Sequence, residues 1–174
     1  DIRYNVIQWV HRSTRGWSYG ASVRDPRTQE ILKGHVTLGS QRVRQDYLIA
    51  EGLVAPYGDS NSSEAIGEFA LARIRQLSAH EVGHTLGIAH NFAASADDRA
   101  SVMDYPHPFV TLTESGEVEL GDAYDEGIGA WDKRAIVWGY QDFPEGDSEA
   151  DGRAAIIEET LASCLTYVAD EHAR

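Results

Sequence analysis

Residues 80–90 read HEVGHTLGIAH, and this stretch limits the folds open to the 174-residue chain more than any other part of it. His80 and His84 are four residues apart, so on a helix their imidazoles lie on one face, one turn apart. Two imidazoles placed this way converge on one metal ion. Glu81 directly follows His80 and lies near the same ion without binding it. From there its carboxylate can take a proton from a metal-bound water.

The second half of this stretch predicts a sharp turn after the helix. Gly87 lacks the Cβ that disfavours a left-handed backbone, so the helix can stop and reverse there. His90, just past the turn, then completes a set of three neutral imidazoles. Three such ligands leave one tetrahedral position open for water, which is typical of a catalytic zinc site rather than a structural one. The alternative is a polar helix end whose histidines are only solvated, with this spacing arising by chance.

The rest of the chain contains both strand and helix patterns. The predicted strands are residues 3–10 and 31–38, with a loop around Trp17 and Tyr19 and a proline-containing turn at residues 25–28. The predicted helices are a short one before Pro56, a long amphipathic one from Glu64 to Gly87, one at residues 132–138 and a last one at residues 152–171. Residues 91–130 carry little periodicity and are expected to be rich in ordered loops.

The charge balance excludes one class of partner. The chain has 28 acidic and 15 basic residues, a formal net charge of −13, so nonspecific nucleic-acid binding is not expected. No stretch approaches the roughly 18 apolar residues of a membrane-spanning helix. The single cysteine, Cys164, excludes an internal disulfide, and the apolar residues around it predict that it is buried on the last helix.

A methionine-containing segment follows the histidines. Residues 101–105 read SVMDY, and Met103 is the only methionine of the chain. The pattern His-Glu-x-x-His-x-x-Gly-x-x-His followed by such a segment, the Met-turn, is the metzincin signature, so the chain resembles a metzincin zinc metalloprotease. This resemblance implies that His80, His84 and His90 bind one catalytic zinc ion. It also implies that Met103 lies beneath them as an apolar floor.

The resemblance covers most of the chain. Residues 2–54 and 73–105 resemble the catalytic domain of large secreted bacterial zinc-dependent metalloproteases. This implies a metzincin-like α+β fold with a small mixed β-sheet, a long active-site helix and a loop-rich, helix-ended C-terminal subdomain. It also implies a single catalytic domain over residues 1–174, with an N-terminal subdomain at residues 1–87 and a C-terminal subdomain at residues 88–174.

The start of the chain departs from the metzincin pattern. Metzincin domains usually begin with a strand, a long helix and another strand, and residues 3–10 resemble the strand that follows these. We therefore expect the first strand-helix-strand portion to be missing or replaced, and the chain to be a piece of a longer protein with additional domains. No signal peptide is recognised, and the family resemblance implies a secreted or periplasmic protein.

Tyr105, two residues after the methionine, resembles a tyrosine of astacin-like and serralysin-like enzymes. In those enzymes the phenol binds the zinc or swings away to stabilise the oxyanion, so the resemblance implies a catalytic role for Tyr105. A phenol donor aimed at developing negative charge has a clear physical rationale. The alternative is a structural tyrosine. Residues 129–140 resemble the short helix that follows the Met-turn in astacin-like enzymes.

The same resemblance implies that residues 34–38 form an exposed edge strand to which an extended peptide substrate adds. The substrate-binding residues are then Gly34, His35, Val36 and Thr37. A lone histidine on a strand is also explained as a surface or packed residue, and this alternative stays open for His35. Residues 105–109 are expected to line the pocket for the residue after the cut bond.

The predicted function is therefore a zinc-dependent endopeptidase for extended polypeptides, acting through a zinc-bound water with Glu81 as general base. Two alternatives stay open: a zinc-retaining, non-catalytic peptide-binding domain, and a hydrolase of small or cell-wall amides. The intact Glu81 favours catalysis, because a purely structural zinc does not need that carboxylate.

Acidic residues in the second half of the chain could also bind calcium. The acids considered for it are Asp97, Asp98, Asp122, Asp125 and Glu126. Their spacing matches no EF-hand loop, so we expect these residues to be solvated on the surface. The sequence does not support a calcium site.

Overall fold

The computed structural model describes residues 1–14, 16–54, 62–96, 98–146 and 148–172; Pro56 and Asp97 lie outside them. The strands are β1 (Val6–Val10), β2 (Tyr19–Arg24), β3 (Ile31–Gly39), β4 (Thr111–Leu112) and β5 (Val118–Glu119). The helices are α1 (Gln41–Leu53), α2 (Ser62–Thr85), α3 (Ala130–Tyr140) and α4 (Glu149–Ala162), with a 3-10 turn at Ala94–Ala96. Within these ranges, no helix is both long and apolar enough to cross a membrane.

The chain divides into two compact units. The first comprises Asp1–Gly87 and His107–Gly127, and the second comprises Ile88–Pro106 and Ile128–Arg174. The first unit therefore contains all five strands together with α1 and α2, and the second contains α3 and α4.

The first unit is built on a three-stranded mixed sheet. β3 lies in the centre, with β1 parallel on one side and β2 antiparallel on the other. The turn predicted at residues 25–28 joins β2 to β3: the amide of Asp25 donates to the carbonyl of Glu30 at 2.9 Å, and the amide of Gln29 donates to the carbonyl of Asp25 at 2.8 Å. The predicted α+β fold with a small mixed sheet is confirmed.

The prediction of an edge strand at residues 34–38 is wrong. The four residues expected to bind substrate lie in β3; they are Gly34, His35, Val36 and Thr37. Both sides of β3 are paired, since Val36 lies opposite Ile7 of β1 and Gly20 of β2. The physical reason is the short turn, which folds β2 back along β3 as a hairpin. Tyr19, expected in a loop, is the first residue of β2.

Helix α2 packs on the sheet at positions that carry no side chain. A Cβ on Gly34 would lie 3.0 Å from the Cβ of Thr85 near the end of α2. A Cβ on Gly20 would overlap the backbone carbonyl of Glu81. Because the atom opposite Gly20 belongs to the backbone of a helix, it cannot rotate away as a side chain could. Only glycine at position 20 lets β2 approach this end of α2 so closely.

The apolar core of the first unit is centred on Phe69 of α2. Its ring is 2% exposed and packs edge-on against Tyr124, with 5.3 Å between the ring centroids. The other buried members of this core come from α1, α2 and the segment at residues 107–127; they are Ala50, Ile66, Leu120 and Ala123. This segment follows the Met-turn in the chain, yet it completes the core beneath the long helix.

Buried charges lie beside this core. The carboxylate of Asp46 pairs with Arg42 at 2.9 Å within α1, and the guanidinium of Arg73 lies 5.3 Å from the centre of the Tyr124 ring. Burial raises the pKa of Asp46, and the charge of Arg42 opposes that shift. Burial likewise lowers the pKa of Arg73. Both groups are shielded from water, and nearby opposite charges offset only part of the effect of burial on their pKa values.

The second unit contains a buried carboxylate, that of Asp132 in α3. It accepts a hydrogen bond from the hydroxyl of Ser101, and bonds of 2.8 Å from the amides of Val102 and Gly129. These bonds connect the first turn of α3 to the segment that contains the methionine. The helix predicted at residues 132–138 is confirmed, and it extends two residues further at each end.

The last helix is shorter than predicted. α4 ends at Ala162, and Cys164 has a left-handed backbone conformation with a φ of 59°. Cys164 is exposed, so its predicted burial is wrong. The chain after Cys164 does not continue the helix, because it packs as a non-helical segment in which the carbonyl of Val168 accepts a hydrogen bond from Phe92 at 2.8 Å. Several apolar residues around Cys164 are exposed, Leu161 at 73% among them, so their spacing does not mark one buried helical face.

Replacing Phe69 with alanine should remove the centre of the first unit's core. We expect Phe69→Ala to lower the free energy of unfolding by about 3–5 kcal/mol, because the missing ring leaves a cavity. Urea unfolding followed by circular dichroism measures the change. Leu71→Ala, at a position 48% exposed on the same helix, is the matched control and should change the free energy by about 0.5 kcal/mol or less. Equal losses in both variants would contradict this assignment of the core.

Candidate metal centre

Two of the predicted metal ligands lie on the last turns of α2. The Nε2 atoms of His80 and His84 are 3.1 Å apart, and their rings are perpendicular with 4.7 Å between the centroids. His80 is buried, and His84 is partly buried. The four-residue spacing therefore places the two imidazoles together, as predicted from the helical repeat.

The helix ends directly after the second of these histidines. The amide of Gly87 donates to the carbonyl of His84 at 3.0 Å, and Gly87 has a φ of 88°. This is the left-handed region, which glycine enters without the steric cost that a Cβ brings. The predicted turn is therefore present, and it redirects the chain toward His90.

The three histidines come together as a group that can hold a metal ion. One ligand atom from each of His80, His84 and His90 lies within 4.8 Å of the others. Two nitrogens bound tetrahedrally to zinc at the usual distance of about 2.0–2.1 Å are about 3.3 Å apart. The separation of 3.1 Å between His80 and His84 is close to that value. Three imidazole donors at this spacing fit a zinc ion.

No second group of three or more His, Cys, Asp or Glu side chains comes together in this way in the described part of the chain. Of the acids considered for calcium, Asp97 is outside the described residues and the other four belong to no such group.

Glu81 lies on α2 immediately after His80 and is 4% exposed. Its negative charge acts on the buried guanidinium of Arg73, where it partly offsets the lowering of the Arg73 pKa that burial causes. Its backbone carbonyl faces Gly20 of β2. The motif carboxylate is therefore shielded from bulk water, and the backbone of Glu81 lies where the long helix meets the outer strand β2.

Met103 is fully buried in the second unit. Its amide donates to the hydroxyl oxygen of Ser101 at 2.9 Å, and its carbonyl accepts from the amide of Asn91 at 3.0 Å. Since Asn91 directly follows His90, this backbone bond ties the methionine segment to the chain at the third histidine.

Tyr105 contacts the third histidine directly. Its hydroxyl is 2.7 Å from Nε2 of His90, and the two rings are 4.8 Å apart at their centroids. Tyr105 itself is 58% exposed. The phenol oxygen of this exposed residue therefore lies beside a ring nitrogen of the third histidine.

The structure also adds a residue that was not predicted from the sequence. Nδ1 of His90 is 2.8 Å from a carboxylate oxygen of Asp170. The sequence predicts Asp170 on the last helix, and no local spacing connects it to the histidines. By contrast, His35 of the predicted substrate strand is half-buried on β3, and its Nε2 has no hydrogen-bond partner among the described residues.

Comparison with known proteins agrees with this geometry. A family model described as Met-zincin matches residues 62–174, more than half of the chain. The matched part includes the three histidines, Glu81 and the Met-turn at residues 101–105, while β1, β2 and β3 precede it. No curated protein and no solved structure matches the chain.

The metal centre can be tested by metal content. We expect the purified chain to retain one zinc ion after dialysis and His84→Ala to lose it, because two imidazoles hold zinc far less tightly than three. Elemental analysis of the dialysed proteins measures this. His107→Ala, which removes an exposed histidine outside the group, is the control and should keep its zinc. Zinc retained in His84→Ala would exclude this residue as a ligand.

Proposed function

The chain belongs to the Met-zincin family, and on this premise we propose that it is a zinc-dependent endopeptidase that hydrolyses peptide bonds of extended polypeptides. The observation that carries the proposal is the grouping of His80, His84 and His90 on a helix and turn that also present Glu81. Zinc held by three neutral imidazoles supplies a Lewis acid that polarises the carbonyl of the bond to be cut.

We assign Glu81 the proton transfers of this reaction. A carboxylate one residue from a zinc ligand can take the proton from the attacking water and later deliver it to the leaving amine. The near-complete burial of Glu81 supports this role, because a shielded carboxylate exchanges protons with the bound reactants rather than with bulk water. A zinc ion that only stabilises a fold does not require a carboxylate beside its ligands. The charge of Glu81 also partly compensates the burial of Arg73.

We assign Tyr105 the stabilisation of negative charge that develops on the carbonyl oxygen. A phenol O–H is a suitable donor for an oxyanion. Its hydroxyl already lies at the nitrogen of His90 that faces away from Asp170. Met103, buried and bonded to the residue after His90, is proposed as the apolar support of the ligand set.

We propose that the substrate pairs with β2 and not with β3. β2 is an outer strand of the three-stranded sheet formed by the described residues, and the outer side of such a strand can bind an added strand through main-chain hydrogen bonds. Gly20 of β2 lies against the backbone of Glu81. A peptide extended along β2 therefore passes the end of α2 that carries the catalytic carboxylate.

The remaining assignments rest on the family resemblance. We propose that the described residues form one catalytic domain of a secreted or periplasmic protein and that further domains of a longer chain accompany it. Its partners are then peptide or protein substrates.

The role of Glu81 is tested by Glu81→Gln, which removes the proton acceptor and keeps the shape. We expect hydrolysis of an unstructured protein such as casein to fall by about 10²–10⁴-fold or more, with zinc content unchanged. Glu68→Gln, at an exposed position of the same helix, is the control and should retain activity.

Three outcomes separate the candidate functions. Loss of cleavage only in Glu81→Gln supports the endopeptidase. Zinc binding without cleavage of casein by any variant would favour the peptide-binding alternative. Cleavage of small amides alone would favour the amide hydrolase.

Tyr105→Phe tests the phenol as an oxyanion donor. We expect kcat to fall about 10²-fold with KM nearly unchanged, because the hydrogen bond forms only as charge develops in the transition state. Steady-state kinetics on a fluorogenic peptide measures both constants. Tyr4→Phe is the control, because it removes a hydroxyl from an exposed tyrosine near the start of the chain. This variant should leave kcat and KM unchanged. A rise in KM alone would show that Tyr105 binds substrate and does not stabilise the transition state.

A further inference from the structure

The segment that follows α4 is held against the residues next to the third histidine. The side chain of Asn91, fully buried, donates to the carbonyl of Thr166 at 2.9 Å and accepts from the amide of Val168 at 3.1 Å. The amide of Phe92 donates to the carbonyl of Val168 at 2.8 Å. Three hydrogen bonds thus fix residues 166–168 beside the chain that leaves the metal centre.

A second set of contacts holds the same segment from its other side. The ring of Tyr167 stacks on Trp131 of α3, with 5.2 Å between centroids and an angle of 4° between the planes. Ala169 is buried, and the amide of His172 donates to its carbonyl at 3.0 Å. Asp170 directly follows these anchored residues in the chain, so their contacts bring it close to His90.

We propose that Asp170 is a positioning residue of the zinc centre, accepting a hydrogen bond from Nδ1–H of His90 and so directing the Nε2 lone pair toward the metal. The inference rests on the zinc site itself and not on the proposed peptidase activity. The oxygen of Asp170 is 2.8 Å from Nδ1, which is the length of a charge-assisted hydrogen bond.

The chemistry of the two partners determines the direction of this bond. An ionised carboxylate only accepts hydrogen bonds, so Nδ1 must carry the proton, and the lone pair of the neutral ring is then on Nε2. The contact on the other side agrees, because Nε2 can accept the hydroxyl proton of Tyr105 at 2.7 Å. A second partner that fixes the tautomer and orientation of a ligating histidine strengthens metal binding.

The solvent exposure of Asp170 and His90 determines how strongly loss of the carboxylate should weaken zinc binding. The side chain of Asp170 is 60% exposed and that of His90 is 17% exposed. Solvent screens the charge of Asp170, so its main contribution is the orientation of the ring. We therefore expect loss of the carboxylate to weaken zinc binding about tenfold, at the low end of the range of about 10–100-fold for such partners.

The test is zinc affinity measured by competition with a chromophoric chelator. Asp170→Ala should bind zinc about tenfold more weakly than wild type, and Asp170→Asn, which keeps an acceptor oxygen, should recover most of the loss. Glu171→Gln removes a negative charge from the neighbouring exposed residue and should bind like wild type. His90→Ala should lose far more affinity than any of these, since it removes a ligand.

A spectroscopic readout separates positioning from general stability. In the metal-free protein at a pH where the imidazole is neutral, long-range proton–nitrogen NMR spectra report which ring nitrogen of His90 is protonated. We expect the Nδ1–H form in wild type and in Asp170→Asn, and a shift toward Nε2–H in Asp170→Ala. Circular dichroism of the same samples identifies any variant that does not fold.

The outcomes are distinguishable. If His90→Ala binds zinc as wild type does, the zinc site as assigned is wrong. If His90→Ala loses zinc but a folded Asp170→Ala keeps wild-type affinity and the Nδ1–H form, only the role of Asp170 is overturned. If Asp170→Ala does not fold, the NMR spectrum and affinity of Asp170→Asn against Glu171→Gln decide: wild-type affinity with the Nε2–H form in Asp170→Asn would contradict the proposal.

Discussion

The metal centre depends on where helix α2 ends. If the helix continued, His90 would lie about 9 Å further along the axis than His84 and on a different face. Instead the helix stops at Thr85, and the left-handed conformation of Gly87 reverses the chain. Any residue with a Cβ would meet a cost of about 1–2 kcal/mol in that conformation. The third ligand joins the first two because this one residue has no side chain.

Two buried polar side chains then organise the second unit. Asp132 accepts hydrogen bonds from the residues just before Met103 and from the start of α3. Asn91 binds the segment after α4, and its backbone amide binds the carbonyl of Met103. A buried polar group without its partner costs about 1–3 kcal/mol. Separating these segments would leave both side chains without their partners, and the contacts of Asn91 hold the chain that directly follows His90.

The hairpin between β2 and β3 determines the order of the strands in the sheet. The hairpin turn at residues 25–28 places β2 on the outside of the sheet, next to β3. Gly20 allows that strand to contact the helix backbone directly. Residues 34–38 are not an edge strand, because β3 is paired on both sides. Tyr19 and Gly20, which the sequence predicts in a loop, belong to the outer strand β2.

Patterns within short stretches were enough to predict much of this protein. The spacing of His80, Glu81 and His84, the turn at Gly87 and the position of His90 follow from the repeat of one helix and the freedom of one glycine. The zinc ion and the metzincin-type fold followed from that stretch and the methionine segment. The central place of β3, the early end of α4 and the contact of Asp170 with His90, 80 residues away, could not be predicted. Each of these depends on which distant segments pack together, and hydrophobic spacing along the chain does not encode that choice.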